Sequence, residues 1–285
     1  MKGKFLFIAT IALMFGVASC TKDNEGEQTP SDTTQTTVDK RISKIYLTTN
    51  TIQYSQSDTG WVETYNMSSE RRLSEEYIWE NGSLAEVKIY STNGGLRNTL
   101  IYSYDENSRL TKIEENNDNQ YAYTFGYDDK GRLVSRKFYS ADVLIKSWEY
   151  TYTDNCITSC YYVHDIYYTD SSEHNTYHIT YQWSNGNMVS ETRVNDATNE
   201  STSATYTYDN KHNPLYGVFN DEDNIVFWGS RSNRLTATNG DDEPVNFSYE
   251  YDSDGYPTSC ESSFDMVFST IRNYTRTKSE YEYVR

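Results

Sequence analysis

The chain predicts an all-β protein: one long antiparallel meander of hairpins forming a single large curved or rolled sheet. Three observations carry this. Aromatic pairs recur along the chain with an alternation of period two, apolar on one face and mainly polar on the other. Each pair runs into a short cluster of Asp, Asn and Gly, residues that close tight turns. No segment beyond the leader has a convincing helical period, so the sheet must cover its own apolar face by rolling up or folding over.

The N-terminal residues read as an address. "MKGK" is a basic start, "FLFIATIALMFGVA" an apolar core, and "VASC" ends it. Residues 1–19 have the form of a secretory signal, too short and wrongly flanked for a membrane-spanning helix. Ser19 before Cys20 resembles the lipobox of bacterial lipoproteins, which implies cleavage before Cys20 and a lipid on its thiol. Residues 20–39 are polar and free of aromatics, and read as a flexible tether. "KDNE" in that tether resembles the acidic export signal of surface-exposed lipoproteins of the Bacteroidetes. The expected location is therefore the outer membrane, on the surface side or else facing the periplasm. Residues 40–285 are left as a single β-repeat domain.

Without Lys2 and Lys4 the chain has 23 basic and 42 acidic residues, a net charge of −19. Such a chain repels nucleic acid and anionic headgroups, so contact with a membrane is expected through the N-terminal lipid alone. Beyond Cys20 the cysteines are Cys156, Cys160 and Cys260, an odd count that leaves a free thiol or an intermolecular bridge. Cys160 and Cys260 share one slot in two "TSC" segments, where a rolled sheet could bring them together.

The repeat is read from Tyr77/Trp79, Tyr102/Tyr104, Phe125/Tyr127, Tyr150/Tyr152, Tyr181/Trp183, Tyr206/Tyr208 and Tyr249/Tyr251. Their second members lie 25, 23, 25, 31, 25 and 43 residues apart, a fixed frame with insertions in loops. The widest gap has room for a degenerate extra unit around "VFWGSRSNRL". After each turn comes a second strand, such as "RLTKIEE", in which the apolar residues stand three apart. A bulge just after the turn accounts for that spacing, or else the strand changes face near its end. A flat sheet of this many strands exceeds the ~10 that open sheets tolerate, so curvature is expected.

"YSYDENSRL", "FGYDDKGRL", "YTYDNKHNPL" and "YEYDSDGYP" resemble the YD repeats of Rhs-type proteins, most closely at Tyr127, Asp128, Gly131, Arg132 and Leu133. The whole chain is similar to small YD-repeat lipoproteins of Bacteroidetes, a domain of unknown function. The resemblance implies a β-hairpin array. The shell that large Rhs proteins wind around a toxin does not carry over, because the chain is too short and no cargo follows the repeats.

No catalytic residue, metal site or cofactor is assigned. His174 and His178 stand ~13 Å apart on a strand, unsuited to chelation. Glu75, Glu76, Asp165, Glu173 and Glu191 are the carboxylates available for a hydrolytic pair, and none has a local setting that argues for a raised pKa. "NDEDN" (Asn220–Asn224) and "GDDEP" (Gly240–Pro244) are read as solvated turns, with calcium binding as the alternative. Trp61, Trp228 and the cluster Tyr161, Tyr162, His164 fall outside the regular pairs and are the candidates for ligand binding, against a role in packing. The expected function is a non-enzymatic, lipid-anchored envelope protein used for binding or scaffolding. The alternatives are a glycan-binding surface lipoprotein for nutrient capture, and a glycan-cleaving hydrolase.

Overall fold

The computed structural model describes residues 40–116, 120–154, 156–168, 171–218 and 229–285. Cys20, the tether, Trp228 and the Asn220–Asn224 cluster lie outside them. All the regular elements that order the described residues are strands. They are β1 (Arg41–Ser57), β2 (Gly60–Ser68), β3 (Arg72–Glu80), β4 (Ser83–Tyr90), β5 (Leu96–Tyr104), β6 (Leu110–Glu115), β7 (Tyr121–Tyr127), β8 (Leu133–Ser140) and β9 (Val143–Thr153). The second half holds β10 (Cys156–Tyr167), β11 (Ser172–Ser184), β12 (Asn187–Asn195), β13 (Ser201–Tyr208), β14 (Arg234–Asn239), β15 (Val245–Tyr251), β16 (Pro257–Phe268) and β17 (Ile271–Val284).

The sheet closes. Successive strands from β3 to β17 pair antiparallel, and β1 then pairs with both β17 and β3. The result is a 16-strand β-barrel, with β2 as a seventeenth strand on the upper part of β1. This corrects the expected open curved or rolled sheet. Closure removes the free edges that so long a meander would otherwise expose.

The hairpin that closes the ring is split between the chain ends. Tyr281 and Tyr283 in β17 stand opposite Ile45 and Ile42 in β1. That is the arrangement of Tyr102 and Tyr104 opposite Ile113 and Leu110 within one hairpin. The eighth unit thus takes its incoming strand from the C-terminus and its outgoing strand from the N-terminus.

Every outgoing strand carries a bulge one residue past its first inward side chain. Ser103 and Tyr104 stand opposite Lys112 and Leu110, so Thr111 is the extra residue. Ala85, Val134, Thr158, Val189 and Thr258 hold the same place in their hairpins. The extra residue lets Leu110 and Ile113, or Leu84 and Val87, both point inward despite a spacing of three.

The core is the barrel interior. Tyr77, Tyr102, Phe125, Tyr150, Tyr181 and Tyr206, the first members of their pairs, are buried there with Leu100, Ile113, Trp148 and Ile179. Inward Arg136 is fully buried, with its guanidinium over the rings of Tyr123 and Trp148 at 4.5 and 4.7 Å. The two cysteines of the shared slot, Cys160 and Cys260, are free thiols buried on β10 and β16, so the possible bridge between them does not form.

The 43-residue gap holds no extra hairpin in its described part. Residues 209–218 and 229–233 fold across the near mouth, the end where β1 begins and β17 ends. Leu215 and Val218 join the core there. The Ser230 hydroxyl accepts from the Met188 N–H at 3.2 Å, and Asn187 Oδ1 accepts from the Ser232 N–H at 2.9 Å. His212 N–H donates to the Gly255 carbonyl on the other side. The segment is a plug tied to the two flanking turns.

Candidate functional site

The near rim is occupied by the repeat's own contacts. In six of the seven pairs the second aromatic donates to a main-chain carbonyl of the preceding hairpin; in the seventh Tyr251 donates to the Asp209 carboxylate and Tyr249 takes the Arg234 carbonyl. Tyr104 reaches Leu84 at 2.9 Å, Tyr127 reaches Leu110 at 2.9 Å, and Tyr152 reaches Leu133 at 2.8 Å. Trp183 Nε1 and the Tyr208 hydroxyl do the same to Ile157 and Met188. These carbonyls lie at the bulges, where the ladder is interrupted, so the donors satisfy acceptors left over by the backbone. Burial pushes the Tyr104 and Tyr127 hydroxyls up to about 12.

The Asp and Arg of the motif hold the turns. Asp128 Oδ1 accepts from the main-chain N–H groups of Lys130 and Arg132 at 3.0 and 2.8 Å, while Oδ2 pairs with Arg132. Gly131 between them sits at φ +77°, which a side chain would oppose. The Arg132 guanidinium lies 4.7 Å over the Tyr152 ring of the next hairpin. Asp105 and Arg109 repeat this, with Arg109 5.1 Å over Tyr127. Lys40 pairs with Asp252 and Asp254 at 2.6 and 2.5 Å, which fixes the entry of the chain at this rim.

Period two divides the sequence-derived candidates between faces. Tyr162 points inward and is buried, stacked on Trp148 at 5.2 Å and on Tyr177 at 5.7 Å. His164 follows it on the inner face. Tyr161 points outward and packs against His178, whose Nδ1 lies 2.7 Å from Asp196. The barrel wall therefore separates Tyr161 from Tyr162 and His164. The candidate carboxylates are divided likewise. Buried Glu75 accepts from the Tyr77 hydroxyl inside, whereas Glu76 accepts from Tyr90, and Asp165 lies 2.6 Å from His174, both outside. Among the described residues, no group of three or more His, Cys, Asp or Glu is arranged to hold a metal ion.

The far rim is different. β1 pairs with β3 only as far as Leu47, then runs on to Ser57 with β2 on that edge and β17 on the other. With β16 outside β17, four strands form a tongue projecting roughly 30 Å past the last β3 pairing, at ~3.3 Å per residue. Val62, Tyr65 and Met67 stand opposite Ser55, Gln53 and Thr51, on the side continuous with the barrel interior. All three are exposed, Met67 at 54%. Trp61 stands opposite Gln56, on the outer side, and is 36% exposed. Val267 and Ile271 are exposed at the tip, and Leu96, Val143, Tyr167 and Tyr168 around the rest of this rim. Most of the exposed large side chains among the described residues thus gather at the end opposite Lys40, with Tyr104 and Val284 exposed at the near rim and Ile101 and Tyr161 on the wall. Of the far-rim residues only Trp61 is among the sequence-derived candidates, although all of them, like it, lie outside the regular aromatic pairs. Their signal in the sequence is an apolar strand, "WVETYNM", without the aromatic-pair and turn frame of the repeat.

The barrel wall is polar on its outside. Ser103, Lys112 and Glu114 on one hairpin, and Thr124 and Lys137 on the next, alternate with the buried core positions. No helix among the described residues is long and apolar enough to cross a membrane.

No family model and no curated protein matches the chain. Among solved structures it is similar to a porin-like protein from Bacteroides uniformis ATCC 8492, with 16% identity and a TM-score of 0.49 over 85% of this chain and 96% of that one. It is also similar to a porin-like protein from Bacteroides vulgatus ATCC 8482, with 10% identity and a TM-score of 0.46 over 86% and 99%. The resemblance to YD-repeat lipoproteins is corrected here: no family model, that of a YD repeat included, matches the chain.

Proposed function

We propose that the chain is a non-enzymatic envelope protein, a self-contained barrel held at the outer membrane by a lipid on Cys20, which binds a macromolecule through its far rim. The observation that carries this is the placement of exposed Trp61, Tyr65, Met67, Tyr167 and Tyr168 at the end opposite the chain's entry at Lys40. The near rim is filled by the plug and the aromatic donors, and so has little left to offer a partner.

The barrel stands beside the bilayer rather than in it. A membrane-crossing barrel turns its apolar residues outward and its polar ones inward. Here Trp148, Ile113 and Leu100 fill the interior, and Lys112, Lys137 and Glu149 face out. Each outward Lys at the bilayer midplane would cost about 2–4 kcal/mol.

A second reading is glycan capture, favoured by the flat rings of Trp61, Tyr65, Tyr167 and Tyr168 on one rim. Photo-crosslinking residues placed in live cells at Trp61 and Tyr168, with Asp129 on the near rim as control, test the proposal. Crosslinks from the first two and none from Asp129 support it. Crosslinks from Asp129 alone sink it. Loss of the rim contact after polysaccharide is stripped from the cells selects the glycan reading.

A further inference from the structure

The tongue ends in a strand with one open edge. β2 pairs with β1, and no other described strand pairs with it. The direction of its main-chain groups follows from its partner. Gln56 N–H donates to the Thr270 carbonyl on the β17 side, so Trp61 opposite Gln56 takes no ladder bond from β1. Ser69 N–H donates to the Thr49 carbonyl, which sets the alternation at the other end of the strand. Trp61, Glu63, Asn66 and Ser68 therefore direct their N–H and C=O groups away from β1.

Open edges are normally guarded by Lys, Pro, an inward charge or a bulge. β2 has none of the first three, its one charged residue, Glu63, being on the outer face, and a single bulge at Thr64 divides it into Gly60–Glu63 and Tyr65–Ser68. The opposite margin of the tongue, by contrast, carries the Asp265–Arg272 ion pair. On the inner face Val62, Tyr65 and Met67 form an exposed apolar row beside the edge, with the Tyr65 hydroxyl 2.9 Å from the Met67 sulfur.

We propose that β2 adds an extended segment of a partner protein as a further antiparallel strand. The segment is apolar on the face beside Val62, Tyr65 and Met67, and carries Lys or Arg on the face beside Glu63. Main-chain bonds supply affinity in this mode, and alternate side chains supply selectivity. The net charge of −17 favours a cationic partner over a second copy of this chain, which it would repel. The inference rests on the far-rim reading and narrows it to one strand.

The test uses the full chain and three synthetic peptides of about ten residues, the length of a long strand. One alternates Val or Thr with Lys, the second has Glu for Lys, and the third is the first with alternate amides N-methylated. The Lys peptide binds, and the Glu peptide binds more weakly. N-methylation, or Asn66→Pro in a chain whose melting transition is unchanged, weakens binding about tenfold, the loss of one or two main-chain bonds. Glu63→Lys weakens it without touching the backbone, and serves if the proline variant does not fold. Equal binding of the methylated peptide means surface adsorption and overturns the proposal, as does no binding of any peptide. A dimer in sedimentation that Asn66→Pro dissociates overturns it in favour of a second copy. Crosslinks from Tyr168 that persist in Asn66→Pro leave the far-rim reading standing while strand addition falls.

Discussion

Tyr283, two residues from the C-terminus, donates its hydroxyl to the carbonyl of Pro257 at 2.6 Å while standing opposite Ile42 of the first strand. One side chain thus joins the last strand to the hairpin before it and lies across the seam where the barrel closes. Trp79 answers from the other side, donating to the Ile42 carbonyl at 2.8 Å. Closure rests on the same contact that links each hairpin to its neighbour.

Tyr283→Phe is expected to cost about 1 kcal/mol, the net worth of one hydrogen bond. Tyr283→Ala costs about 2–3 kcal/mol, because the packing of a partly buried ring is lost as well. Removal of residues 281–285 takes away both inward rings of the seam and opens the barrel. Urea denaturation of the three variants checks this, and truncation no worse than Tyr283→Phe would show that the seam is not held by these side chains.

Acid stability follows from the turn carboxylates. The Arg109 and Arg132 main-chain N–H groups, and then their guanidinium groups, hold Asp105 and Asp128 below the ordinary value of 3.8. A carboxylate with a depressed pKa stabilises the fold above its unfolded value, and that contribution is lost as pH falls through its folded value. Asp128→Asn is therefore less stable than the parent at about pH 6, and the gap closes toward about pH 2. Melting temperatures across that range measure it. A gap that stays constant with pH would assign the effect to turn geometry rather than charge. Gly131→Ala, at φ +77°, supplies that contrast: a pH-independent loss of about 1 kcal/mol.

The hairpins were legible because turn chemistry and alternation are local. The spacing of Leu84 and Val87 left a bulge or a change of face open, since two residues three apart cannot share a face of a regular strand, and the register settles it as a bulge. Closure was also written in the sequence but split: Tyr281 and Tyr283 lack a following turn, and Ile42 and Ile45 lack a preceding one. Neither half looks like a repeat until the ends are brought together. The plug was not legible, because Leu215 and Val218 have no period and their burial depends on the mouth they cover. The tongue was hidden for a related reason. Where a strand outruns its neighbours is set by the neighbours' lengths, so Trp61 could be suspected while Tyr65 and Met67 beside it were not.

The alkaline limit is set by the tyrosines. Burial pushes the Tyr104, Tyr127 and Tyr208 hydroxyls up to about 12, and holds Tyr77, Tyr181, Tyr249 and Tyr281 well above the ordinary 10.0. An acid whose folded pKa is raised gives stability that is complete below its unfolded value and is lost as pH rises through its folded value. Between about pH 10 and about pH 12 the unfolded chain ionises while the barrel does not, so stability falls with every such tyrosine. Phenolate absorbance from the buried tyrosines is expected late and together, as the fold gives way. A single smooth titration without loss of the β-sheet circular dichroism would contradict the buried aromatic interior.

The free thiols report on the same interior independently. Burial pushes Cys160 up to about 12 and Cys260 up to about 11, and both are shut inside the barrel wall. Thiolate is the reactive form, so at about pH 8 both are slow by ionisation and by access. A thiol reagent added to the native protein is expected to leave Cys160 and Cys260 unmodified, and to reach both at the urea concentration where the sheet unfolds. Peptide mapping identifies the modified residue. If Cys260 reacts first, in dilute urea, then β16 and the tongue open before the rest of the barrel. If the two react together, the tongue and the closed ring unfold as one unit, as their shared strands β1, β16 and β17 require.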